Sequence, residues 1–74
     1  MKKIEVLSEE LGLPEGRLFE VKYRVMYSRE EGWSLENFTA WEVMEDDVTR
    51  STVSWEMEEK ISQMLLKRYD EGEL

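Results

Sequence analysis

Between Phe19 and Tyr27 the chain alternates without a fault. Phe19, Val21, Tyr23, Val25 and Tyr27 share one parity, and Glu20, Lys22, Arg24 and Met26 share the other. Successive side chains of an extended strand point to opposite faces, whereas a helix would scatter this set around its axis. The run is also rich in β-branched and aromatic types, which suit a pleated, half-buried surface. Leu18–Tyr27 therefore reads as a strand with one apolar face. Such a strand is not stable alone, so the rest of the chain has to supply a pairing neighbour and a cover for that face.

The neighbours follow from the punctuation. Ser28-Arg29-Glu30-Glu31-Gly32 reads as a turn, with Gly32 free to take a positive φ. Trp33 to Glu45 has two readings. As a strand it sends Thr39, Trp41 and Val43 one way and Phe38, Ala40, Glu42 and Met44 the other. As a helix it is capped by Ser34 and stacks Leu35, Phe38 and Glu42. Aromatics at both parities, and the first strand's need of a partner, favour the strand. Glu45-Asp46-Asp47 is the next turn, and β-branched Val48–Val53 is a candidate third strand. Upstream, Lys2–Leu7 is a short strand or the lead-in to a helical turn in which Ser8 caps Glu9-Glu10-Leu11. Gly12, Pro14 and Gly16 stop that turn.

The C-terminal third predicts a helix. Ser54 is its cap, Glu56, Glu58 and Glu59 crowd its first turn, Lys67 and Arg68 sit in its last, and Gly72 follows its end. These charges run with the helix dipole at both ends. Met57, Ile61, Met64, Leu65 and Arg68 trace one stripe, flanked by Trp55 and Tyr69. The economical partner for this stripe is the sheet face carrying Phe19, Tyr23 and Tyr27. The expected fold is α+β: a small antiparallel sheet of two or three strands with a C-terminal amphipathic helix packed on one face, in a single domain spanning residues 1–74.

Composition narrows the chemistry. The 74 residues include no cysteine and no histidine, which removes disulfides, thiolate or imidazole metal sites and every nucleophile–histidine mechanism. Acid–base work would fall to a carboxylate pair such as Glu42 and Asp46, and a chain this short scarcely builds the cleft such a pair needs. No enzyme is expected. Glu45-Asp46-Asp47 lacks the spacing of a calcium loop, and the four glycines are too scattered to cradle a phosphate. No metal and no cofactor is expected. No apolar run reaches membrane-spanning length and no signal-peptide core follows Met1-Lys2-Lys3, so the expectation is a cytoplasmic protein with no membrane contact. A domain of this size buries only about 60–65% of its unfolded surface, which makes a homodimer a reasonable expectation.

Charge carries the functional reading. Eighteen acids against ten bases give a net charge of −8. Seven of the acids fall between Glu42 and Glu59, with Arg50 as the one base among them. Phe19, Tyr23 and Tyr27 would make a stacking platform for single-stranded nucleic acid, but they are needed for the core, and the negative charge opposes contact with phosphate. Direct nucleic-acid binding is therefore disfavoured, and protein recognition remains. Among the tryptophans, Trp55 is expected to be buried, and Trp33, beside the turn glycine, to be exposed as an interface anchor. Glu42, Glu45, Asp46, Asp47, Glu56, Glu58 and Glu59 are expected to line one edge as an anionic ridge spaced like phosphates, with Trp33 as a further partner contact. An apolar alternative stays open, in which the helix or a sheet edge serves as a general interaction or oligomerisation module centred on Met57, Met64 and Trp33.

A small, acidic, cysteine-free, aromatic-rich domain with Glu45-Asp46-Asp47 and Glu56-x-Glu58-Glu59 resembles the small phage-encoded host-takeover proteins that mimic DNA. The resemblance covers the size and charge of the whole chain and implies no catalytic residues. It implies a non-enzymatic inhibitor that blocks the basic DNA-binding surface of a host protein, such as a histone-like nucleoid protein, within the host cytoplasm.

Overall fold

The computed structural model describes residues 1–74. Its elements are β1 (Lys2–Leu7), a 3-10 turn at Ser8–Leu11, β2 (Leu18–Ser28), β3 (Gly32–Val43), β4 (Arg50–Thr52) and α1 (Trp55–Asp70). The strands form one antiparallel meander in the order β1-β2-β3-β4. The α+β class and the helix stand as expected. The sheet has four strands rather than two or three, because Lys2–Leu7 is a strand in its own right and pairs Ile4 with Val21 and Val6 with Phe19.

Trp33 to Val43 is a strand, with Met44 and Glu45 passing into the loop, and a bulge explains its mixed parity. Val21 lies opposite Ala40 and Lys22 opposite Thr39, but Arg24 lies opposite Glu36, so Asn37 and Phe38 together face Tyr23. Asn37 takes a left-handed φ of 52°, a conformation that asparagine tolerates better than most residues. The extra residue flips the alternation. Trp33 and Leu35 before the bulge, and Phe38 and Ala40 after it, all come to the face of Val21 and Tyr23.

α1 covers that face. Ser54 accepts the Met57 amide at 3.2 Å as its cap, as the sequence predicts. Ile61, Leu65 and Tyr69, one turn apart, are buried against Val6, Leu11, Phe19, Val21, Tyr23 and Ala40. Met57 and Met64 flank this seam half-buried. Arg68 leaves it to bond the Glu10 carboxylate at 2.7 Å, and Glu10 also accepts the Leu7 amide at 2.7 Å. Burial alone would raise the Glu10 pKa, but the Leu7 amide and the Arg68 guanidinium together hold it below the ordinary value.

Three sequence expectations need correction here. Trp55 is 72% exposed: it is the first residue of the helix, six before Ile61 and about 120° round the axis from it. Trp33 is half-buried rather than free. Its ring lies 4.9 Å from Tyr27 and 5.1 Å from Tyr69, in one aromatic row that braces the far end of the β2–β3 ribbon against the helix. Tyr27, at the outer end of that row, is itself 62% exposed. Ser8 does not cap the following turn. It is wholly buried, donating to the Pro14 carbonyl at 2.7 Å and accepting the Arg17 amide at 3.1 Å, so it pins the β1–β2 connection shut.

At the centre the Tyr23 and Tyr69 hydroxyls bond each other at 2.8 Å, with the rings edge to face. Burial first, and the bond to Tyr69 second, push the Tyr23 phenol well above its ordinary pKa. Removing one hydroxyl strands the other in the core. Tyr23→Phe or Tyr69→Phe alone should therefore cost about 1–3 kcal/mol by urea unfolding, and the double variant less than the sum of the two. At the bulge, Asn37→Gly should leave stability unchanged or raise it, while Asn37→Val should lower it by about 1–2 kcal/mol in the same measurement.

Candidate functional site

The seven acids singled out by the sequence fall into three settings. Glu42 lies on the helix-covered face of β3, opposite Phe19. Its two oxygens accept both arms of Arg17, at 2.9 Å from Nε and 2.8 Å from Nη2, and the guanidinium sits 5.1 Å over the Phe19 ring. This bidentate pairing holds the Glu42 carboxyl below its usual pKa and raises that of Arg17. Glu42 is thus neutralised within its own fold, although it lines one surface depression with Glu45, Asp46 and Asp47.

Glu45, Asp46 and Asp47 form the β3–β4 loop. Met44 brackets it, donating to the Thr49 carbonyl at 3.0 Å and accepting the Asp47 amide at 2.9 Å. Asp47 takes a φ of 60° in the turn. Asp46 is the loop's internal anchor. One oxygen accepts the Val48 and Thr49 amides at 2.9 and 2.8 Å, and the other accepts the Thr49 hydroxyl. These bonds, the hydroxyl's foremost, lower its pKa from 3.8 to about 2. Arg50 closes the loop from below by donating to the Asp47 and Val48 carbonyls at 3.2 and 3.0 Å. Its other arm reaches Glu20 at 3.4 Å, and Lys3 shares Glu20 at 3.5 Å.

Glu56, Glu58 and Glu59 occupy the first turns of α1. Glu56 and Glu59 are exposed and three residues apart, hence on one side of the helix, while Glu58 is turned away and half-buried. Glu59 accepts the Gln63 side chain at 3.0 Å. The loop and the helix start lie at opposite ends of three-residue β4, roughly 10 Å apart by strand rise. The acids therefore form two clusters with a cation between them, rather than one continuous row. Trp33 belongs to neither cluster, being part of the aromatic row at the far end of the ribbon.

Across the molecule only three of the 18 acids, Glu10, Glu20 and Glu42, are engaged in ion pairs. Glu45, Asp46, Asp47, Glu56, Glu58 and Glu59 have none. A surface depression lies between the Arg17–Glu42 pair and the acidic loop, with Leu18 and Val43 in its floor. Four carboxylates line it, and two of them, Glu42 and Asp46, are held below their ordinary pKa, the opposite of what a general acid requires. No group of three or more acids comes together in a way that would hold a metal ion, and no helix is long and apolar enough to cross a membrane. The neutralising residues Arg17 and Glu20 escaped the sequence reading, since pairs separated by 25 or 30 positions leave no local pattern.

Asp46 gives the loop a specific acid response. Its folded pKa lies below its unfolded one, so the loop is fully held above pH 3.8 and loosens as pH falls through about 2. The Val48 and Thr49 amide shifts should titrate near that lower value by NMR, and Asp46→Ala should free both amides to exchange without unfolding the sheet.

No family model matches this sequence, and neither the curated proteins nor the solved structures contain a match to it.

Proposed function

We propose that this protein is a non-enzymatic binding protein that mimics DNA and blocks the basic, DNA-binding surface of a host protein, of which a histone-like nucleoid protein is one example. The observation that carries the reading is the set of six acids left without ion pairs in the β3–β4 loop and the first turns of α1, on a chain of net charge −8. Unpaired surface carboxylates keep their field. A basic groove that evolved for phosphates meets them with the same Lys and Arg side chains, and long-range attraction speeds the encounter. The loop also has the order such a contact needs, because Asp46 and Arg50 fix its backbone and less freedom is lost on docking.

A second reading is favoured by the exposure of Trp55, which stands 72% free beside Glu56. Met57, Met64 and Trp33 are packed against the core, so an apolar interaction module would centre on Trp55 instead. Large aromatics with one free face are common interface anchors.

Purified protein titrated into a histone-like nucleoid protein separates the two readings. Under the mimicry reading it competes with DNA, and binding weakens by at least about tenfold between roughly 50 and 500 mM salt. Neutralising Glu45, Glu56, Glu58 and Glu59 to glutamine should weaken it by a similar factor, while leaving Asp46 to hold the loop. Salt-independent binding that survives these changes and is lost in Trp55→Ser would overturn mimicry and support the apolar module.

A further inference from the structure

We infer that the free edge of β1 pairs with β1 of a second copy of this chain, making a continuous eight-stranded sheet across a two-fold axis centred on Ile4. This goes beyond the acidic-capture reading and does not depend on it, since none of the six unpaired acids takes part.

The argument starts from which backbone groups are free. β1 is the first strand of the sheet and pairs on one side only. Immediately beyond it, Ser8 donates its amide to the Arg17 carbonyl at 2.9 Å, which continues the register that sets Leu7 opposite Leu18. In an antiparallel pair the residues alternate between those that exchange backbone bonds with the partner and those that turn away. Even-numbered residues of β1 therefore bond to β2, and Lys3 and Glu5 turn their amides and carbonyls outward. The Leu7 amide also turns away from β2, but the Glu10 carboxylate already closes it. Lys3 and Glu5 are thus the free rungs.

The side chains specify the occupant. A second copy laid antiparallel with Ile4 opposite Ile4 puts Lys3 opposite Glu5 of the second copy, and Glu5 opposite its Lys3. That register also makes both of them the backbone-bonded pairs, which the free rungs require. Within one copy Glu5 lies directly opposite Glu20 across the β1–β2 ladder, with no cation on Glu5 itself. The Lys3 of the second copy supplies that cation. Half-buried Ile4 meets its own copy on the helix-covered face, and Leu7, 48% exposed, comes opposite Met1, 67% exposed. The segment is therefore self-complementary in charge, in apolar contact and in hydrogen-bond phase, as a symmetric interface must be.

The test uses the full chain. Sedimentation equilibrium up to about 1 mM should show the 8.9 kDa species giving way to one of twice that mass. The Lys3 and Glu5 amides should exchange with solvent more slowly as concentration rises, while other exposed amides do not change. Lys3→Glu or Glu5→Lys alone sets like charges against each other and should weaken the dimer by about tenfold or more. The combined Lys3→Glu/Glu5→Lys chain should regain wild-type affinity. Each variant's circular dichroism and unfolding midpoint show whether its fold is intact, and the exchange experiment on the unaltered chain needs no variant. A monomer throughout the range would overturn the proposal, with Lys2 and Lys3 then acting as guards of a bare edge. A dimer whose Lys3 and Glu5 amides stay unprotected, or whose affinity ignores the charge exchange, would overturn it equally.

Discussion

The bulge at Asn37 is the constraint on which the rest of the structure depends. A regular β3 of twelve residues would put Trp33 and Leu35 on one face and Phe38 and Ala40 on the other, and the helix covers only one of them. One extra residue opposite Tyr23 turns both halves of the strand toward the same side. With so few apolar residues available, a 74-residue chain has little to spare for a second, uncovered face. The cost is a single left-handed asparagine, and the return is a core that extends along the helix from Ile61 to Tyr69.

The core is a narrow seam. Ile61, Leu65 and Tyr69 on α1 meet Phe19, Val21 and Tyr23 on β2. Toward the C-terminal end of α1 the paired Tyr23 and Tyr69 hydroxyls satisfy each other where water is excluded. Beside them, Glu10 gathers the Leu7 amide and the Arg68 guanidinium, so that the 3-10 turn, β1 and α1 are held by one carboxylate. Tyr69 then links this seam to Trp33 and Tyr27, and so supports the part of the β2–β3 ribbon that no other strand flanks.

Charge is distributed by a different logic. The few ion pairs serve architecture: Arg17 with Glu42 at one end of the sheet, and Arg50 and Lys3 around Glu20 on its uncovered face. Most of the acids remain unpaired and keep the surface strongly negative. In the β3–β4 loop a carboxylate and a guanidinium work on the backbone from opposite sides, Asp46 accepting amides and Arg50 donating to carbonyls. That arrangement leaves Glu45 and Asp47 as free charges on a fixed frame.

The amino-acid sequence by itself determined the β2 strand, the capped C-terminal helix, the α+β class and the excess of acid, because each is written in local periodicity or in plain counts. Position along the chain also sufficed to place Glu56, Glu58 and Glu59 at a helix start. What only the tertiary structure decided is everything that depends on contacts between distant residues. The parity switch at Asn37 has no local signature beyond a residue type that tolerates a positive φ. The burial of Trp33 and the exposure of Trp55 follow from how the helix is rotated on the sheet, which a stripe of flanking residues does not specify. Glu42 was neutralised by Arg17, a partner 25 residues away. Local free energies select the elements, but which charges end up neutralised, and which aromatics end up covered, is settled only when those elements pack.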